Sequence, residues 1–186
     1  MEAIALSAGL VFIAELGDKS QLVALSLAAR RAWRDVVVAV LVVSVAATSL
    51  SAAAGGLIGS TLSSTARAWL AGTVFLAVAA WSFVVRADPA DEVDVAPLRS
   101  QLALVGVLVV AELGDKTMFA TAGLGAEFGA LPAWVGAAIG MTVAGLLGVA
   151  IGVRLRRWLT PHTLRIVTSA MFLFVGLSFV VVAVRG

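Results

Sequence analysis

Residues 14–20 read AELGDKS and residues 111–117 read AELGDKT, so a glutamate, an aspartate and a lysine fall within five positions and the pattern returns 97 positions later. Both copies lie inside long apolar runs. On a helix, Glu15, Asp18 and Lys19 stand at i, i+3 and i+4 and share one face, as do Glu112, Asp115 and Lys116. A charge at the centre of a membrane span costs about 2.5–3.5 kcal/mol on insertion scales. Six such groups cannot face lipid; they must turn inward, toward one another or toward water.

The rest of the chain supplies the membrane. Of 186 residues, 61% are hydrophobic and 13% charged, with a mean hydropathy of +1.08. That balance excludes a soluble fold and defines an all-α integral membrane class. Six apolar stretches can be marked, at about 3–28, 35–60, 67–86, 101–124, 131–153 and 163–184. A crossing needs about 20 residues, so six leave room for short loops and no soluble domain. MEAIALSAGLVF at the start has no basic n-region and reads as a first span, not a cleaved signal.

DPADEVDVAP at 88–97 holds four acids and two prolines, the composition of a solvated linker. A regulatory cation site there is the less favoured reading. The linker (88–100) separates a first unit, 1–87, from a second, 101–186, with three apolar stretches each. FLAVAAWSFVV at 75–85 and FLFVGLSFVV at 172–181 extend the similarity beyond the motif, as expected of a duplicated unit. Three crossings is an odd number, so the second copy enters from the opposite side. The arginines agree: nine (30, 31, 34, 86, 99, 154, 156, 157, 165) fall in loops on one side and two (67, 185) on the other. Positive-inside then puts the linker in the cytoplasm and both termini outside. The expected fold is six transmembrane helices in two inverted three-helix repeats.

Smaller signals fit the same frame. Gly55 and Gly59, Gly136 and Gly140, and Gly148 and Gly152 are pairs four apart, read as packing devices. Most of the five tryptophans lie near span ends, as in an interfacial belt. His162 reads as a solvated loop residue, and the basic pI as topology, not nucleic-acid binding. There are no cysteines, hence no disulfide or thiolate metal site. No nucleophile–base pair or cofactor motif appears, so an enzyme is not expected, nor a resident cofactor.

Glue between helices would explain each Glu–Lys pair, but it leaves the aspartates over. Four carboxylates against two ammonium groups make a formal −2 inside the membrane. One divalent cation or two protons would neutralise it. The available donors are hard oxygens: the carboxylates, the hydroxyls of Ser20 and Thr117, the Gln21 amide and local carbonyls. These suit Mn²⁺, Ca²⁺ or Mg²⁺ better than zinc or copper. Gly17 and Gly114, inside the motifs, let the backbone bend or approach an ion.

E-x-G-D-[KR]-[ST], twice, in a chain of this organisation resembles the Gdt-type (transmembrane protein 165-like) family of cation/proton exchangers. The similarity covers nearly the whole chain, and both motifs are intact. It implies Mn²⁺ and Ca²⁺ transport against protons, with Glu15, Asp18, Glu112 and Asp115 as the ion site. Around such a site Lys19 and Lys116 balance charge. The short linker resembles that of prokaryotic members, which implies export across a bacterial inner membrane. A passive channel, a basic amino-acid exporter and a non-transporting scaffold stay open as alternatives. The sequence leaves ion preference, stoichiometry and oligomeric state undecided; a homodimer is compatible with it.

Overall fold

Each motif interrupts its apolar run. In the computed structural model, which describes residues 1–16, 18–28, 32–84, 100–112, 114–158 and 161–186, the first run forms α1 (Glu2–Glu15) and α2 (Lys19–Ala28). The fourth run likewise forms α5 (Gln101–Glu112) and α6 (Lys116–Phe128). The remaining runs are single helices: α3 (Trp33–Ser60), α4 (Ser64–Val84), α7 (Ala130–Trp158) and α8 (Pro161–Arg185). The described protein is therefore all-helical.

The break has a local cause. In both motifs the aspartate N–H donates back to the glutamate carbonyl, Asp18 to Glu15 and Asp115 to Glu112, each at 3.1 Å. Leu16 has φ −61° and ψ 119°, the values of the second position of a type II turn. Gly114 has φ 78°, which the third position of that turn requires and only glycine adopts without strain. The sequence expectation of Glu15, Asp18 and Lys19 on one continuous helical face is corrected accordingly: a turn separates glutamate from aspartate.

Four helical segments are long and apolar enough to cross a membrane alone: Trp33–Ser60, Ser64–Val84, Ala130–Ala150 and His162–Arg185. The broken helices, of 14, 10, 12 and 13 residues, are each too short to do so singly. Large apolar side chains such as Leu57, Phe174 and Leu102 are exposed on the outside of the bundle, as a lipid-facing surface demands. His162 is exposed but lies in the first turn of α8, behind Pro161 at its first position, and not in a loop.

The helices pack chiefly across the two chain halves: α4 on α8, α1 on α7, α3 on α6, and α3 on α7. Lipid supplies no hydrophobic force between helices, so close backbone approach does the work. A Cβ at Gly55 or Gly59 would overlap the carbonyls of Ala122 and Ala126 on α6; one at Gly136 or Gly140 would overlap those of Ile4 and Ala8 on α1. Between α4 and α8 sits an aromatic core in which Phe75 and Phe172, 97 positions apart like the motifs, meet with ring centroids 5.8 Å apart.

Candidate functional site

The two breaks meet. α1 and α5 end at Glu15 and Glu112, and both side chains are buried, at 3% and 4% exposure. Helix C-termini carry partial negative charge, so two of them converging on one point favour a cation there. α6 starts beside them: Asp115 is its N-cap, accepting from the Thr117 N–H at 3.1 Å and from Thr117 Oγ1 at 2.9 Å through the same oxygen, Oδ2. Capping holds the aspartate in place and commits one oxygen to α6.

Glu15, Glu112 and Asp115 each offer a carboxylate oxygen within 4.8 Å of the other two. Three carboxylates at that separation repel strongly in a low-dielectric setting unless a cation or protons intervene. Asp18 stands slightly apart, in an ion pair with Lys116 of the other motif. This ion pair joins the two halves through the aspartate of one motif and the lysine of the other. Its two side chains are 14% and 20% exposed, so the pair is largely withdrawn from water.

Gln21 joins from α2, buried, its amide donating 2.7 Å to the Ala144 carbonyl of α7. A Cβ at Gly148 would strike the Gln21 side chain, so that glycine makes the room. Of the residues expected at the site from sequence, Gly17 and the side chains of Lys19 and Ser20 lie outside the described residues, as does the linker at 88–99.

A small cavity opens from the cluster on the α2 side, lined by Glu15, Glu112, Gln21, Ser44, Met141 and Gly145 among others. A second, narrower one lies along α3 and α6, lined by Thr48, Ser51, Thr117 and Thr121, and shares Met141 with the first. Ser44, Thr48, Ser51 and Thr121 were not anticipated. Their signal was present as hydroxyls at 44, 48 and 51, one stripe of an apolar helix.

A family model described as "Divalent cation/proton antiporter GDT1" matches residues 3–89 and again 100–186, one match per half. A protein of Vibrio cholerae serotype O1 described as "Putative manganese exporter" is 32% identical over 182 residues, covering 96% of this chain and 90% of that protein. No solved structure matches. An acidic motif in each half, both ending a helix at the same buried cluster, is thus carried by a chain that the family model covers almost end to end; the protein belongs to the GDT1 family of divalent cation/proton antiporters, transporters and not enzymes.

Proposed function

We propose that the chain exports Mn²⁺, and Ca²⁺ as a second substrate, in exchange for protons by alternating access around the carboxylate cluster. The observation that carries this reading is the approach, within 4.8 Å, of Glu15 from one half and Glu112 and Asp115 from the other. A cation there is held by oxygens on both halves, so relative motion of the halves changes its access without dismantling either motif. Hard carboxylate donors fit Mn²⁺ and Ca²⁺, and the Vibrio relative's description as a manganese exporter favours the former.

In this reading α1 with α2, and α5 with α6, each make one crossing, completing six in two inverted halves (1–87 and 101–186). The helix contacts support it, because exchanging the halves maps them onto one another: α1 on α7 becomes α5 on α3, and α2 on α7 becomes α6 on α3. The arginine distribution supports a cytoplasmic 88–100 linker with both termini outside, in a prokaryotic cell membrane. The arrangement is not quite symmetric. α6 packs on both α3 and α4, whereas α2 leans mainly on α7. A cavity beside α2 with space for about one water supports a state open toward the cytoplasm.

Mn²⁺ then enters along Gln21 and Ser44 and binds Glu15, Glu112 and Asp115, with Asp18 beside them and Ser20 and Thr117 assisting. The formal −2 of four carboxylates and two lysines is cancelled by one divalent ion on the outward stroke and by protons on the return. Lys116 keeps Asp18 balanced while the cluster is empty. The test is Mn²⁺ flux in proteoliposomes with and without an imposed pH gradient. Wild type should respond to the gradient, and Glu15→Gln should abolish exchange; gradient-independent flux would indicate a channel, and normal flux by a correctly inserted Glu15→Gln protein refutes the site.

A further inference from the structure

The narrower cavity beyond the cluster has a chemistry that packing alone does not require. Four hydroxyl residues line it, two on α3 (Thr48, Ser51) and two on α6 (Thr117, Thr121). Three have committed their protons: Thr48 Oγ1 donates to the Ser44 carbonyl at 2.6 Å, Ser51 Oγ to the Ala47 carbonyl at 2.9 Å, and Thr117 Oγ1 to Asp115. What they turn to any occupant is oxygen lone pairs, an acceptor-only lining that suits a cation and its waters. Thr121 Oγ1, on a side chain 1% exposed, has no hydrogen-bond partner among the described residues. A buried hydroxyl without a partner is a cost that a bound ligand would remove.

The other half shows that the fold can do without these groups. The positions 97 away from Thr48, Ser51 and Thr121 are Gly145, Gly148 and Ala24, and two of them, Gly145 and Ala24, line the first cavity. At those three positions the helix contacts are built without hydroxyls, although the counterpart of Thr117 is Ser20 and the first cavity keeps one hydroxyl, Ser44. In this structure the hydroxyl cavity is closed too tightly for a water molecule, with Met141 between it and the open one.

The geometry points to a second station for a partly hydrated divalent cation, held by Thr48, Ser51, Thr117 and Thr121 and occupied when the α3–α6 side opens after the carboxylates release it. Neutral oxygens bind more weakly than carboxylates, which is what an exit station needs. This rests on the transport reading above.

The experiment uses the full chain in detergent and in proteoliposomes. The Thr121→Val, Ser51→Ala double variant should bind Mn²⁺ at equilibrium within about twofold of wild type, yet exchange it for protons about tenfold more slowly, the worth of one strong hydrogen bond. Thr121→Ser should restore the rate, separating a lost hydroxyl from a damaged fold. Because the chain has no cysteine, the single thiol of Thr121→Cys can be labelled with a small water-soluble reagent, and saturating Mn²⁺ should slow that labelling. Unchanged exchange in the double variant, loss of equilibrium Mn²⁺ binding together with exchange, or labelling indifferent to Mn²⁺ overturns the second station. Wild type that moves no Mn²⁺ overturns the transport reading and takes this inference with it.

Discussion

Replacing Lys116 with methionine keeps the length of the side chain and removes the ammonium paired with Asp18. Deleting one partner of a buried ion pair costs about 3–5 kcal/mol, because the remaining charge stays desolvated. With the side chains 20% and 14% exposed, the low end applies, and we expect a loss of about 3 kcal/mol. For a chain of this size, each kcal/mol lowers an unfolding midpoint by roughly 2–4 °C, giving a drop of roughly 6–12 °C. Asp18→Asn should produce a comparable loss by the same mechanism. The double variant, Lys116→Met with Asp18→Asn, removes both charges of the pair and should return to within about 1 kcal/mol of wild type. The assay is a double-mutant cycle on the purified protein in detergent and chelator, following thermal unfolding. A coupling energy below about 0.5 kcal/mol, with the two single losses simply adding, would refute the cross-half pair as a structural and electrostatic unit.

Asp115 has two separable roles: Asp115→Asn keeps an acceptor for the Thr117 N–H and should lose Mn²⁺ exchange with little loss of stability, whereas Asp115→Ala should also cost about 1 kcal/mol of the α6 cap in thermal unfolding. Gly59→Ala drives a methyl group into the Ala126 carbonyl and should destabilise the α3–α6 contact by about 1–3 kcal/mol, seen as a lower midpoint and poorer recovery of folded protein. Gly148→Ala displaces Gln21 from the Ala144 carbonyl; equilibrium Mn²⁺ affinity should fall several-fold while the midpoint moves little, and unchanged affinity would remove Gln21 from the site.

Much of this molecule is legible from residue order. The apolar runs, the duplicated motif and the placement of six charges within those runs follow from composition and spacing, since hydropathy and the cost of charge in lipid are local quantities. The glycines at 55, 59, 136 and 140 could be read as packing devices because only close helices need them. The helix breaks could not be read. An apolar run of some 25 residues has the same hydropathy whether it is one helix or two, and α1–α2 and α5–α6 are each divided by a turn between glutamate and aspartate.

The sequence by itself determined that this is a membrane protein with acidic groups repeated in two halves, because those facts reside in residue types and their intervals. Only the tertiary structure decided that Lys116 answers Asp18 across the halves, that Asp115 caps α6 while it faces Glu15 and Glu112, and that four hydroxyl side chains gather around one of the two cavities. Those pairings join positions far apart in the chain, and their geometry is set by how closely glycine-bearing helices let the two motif turns approach.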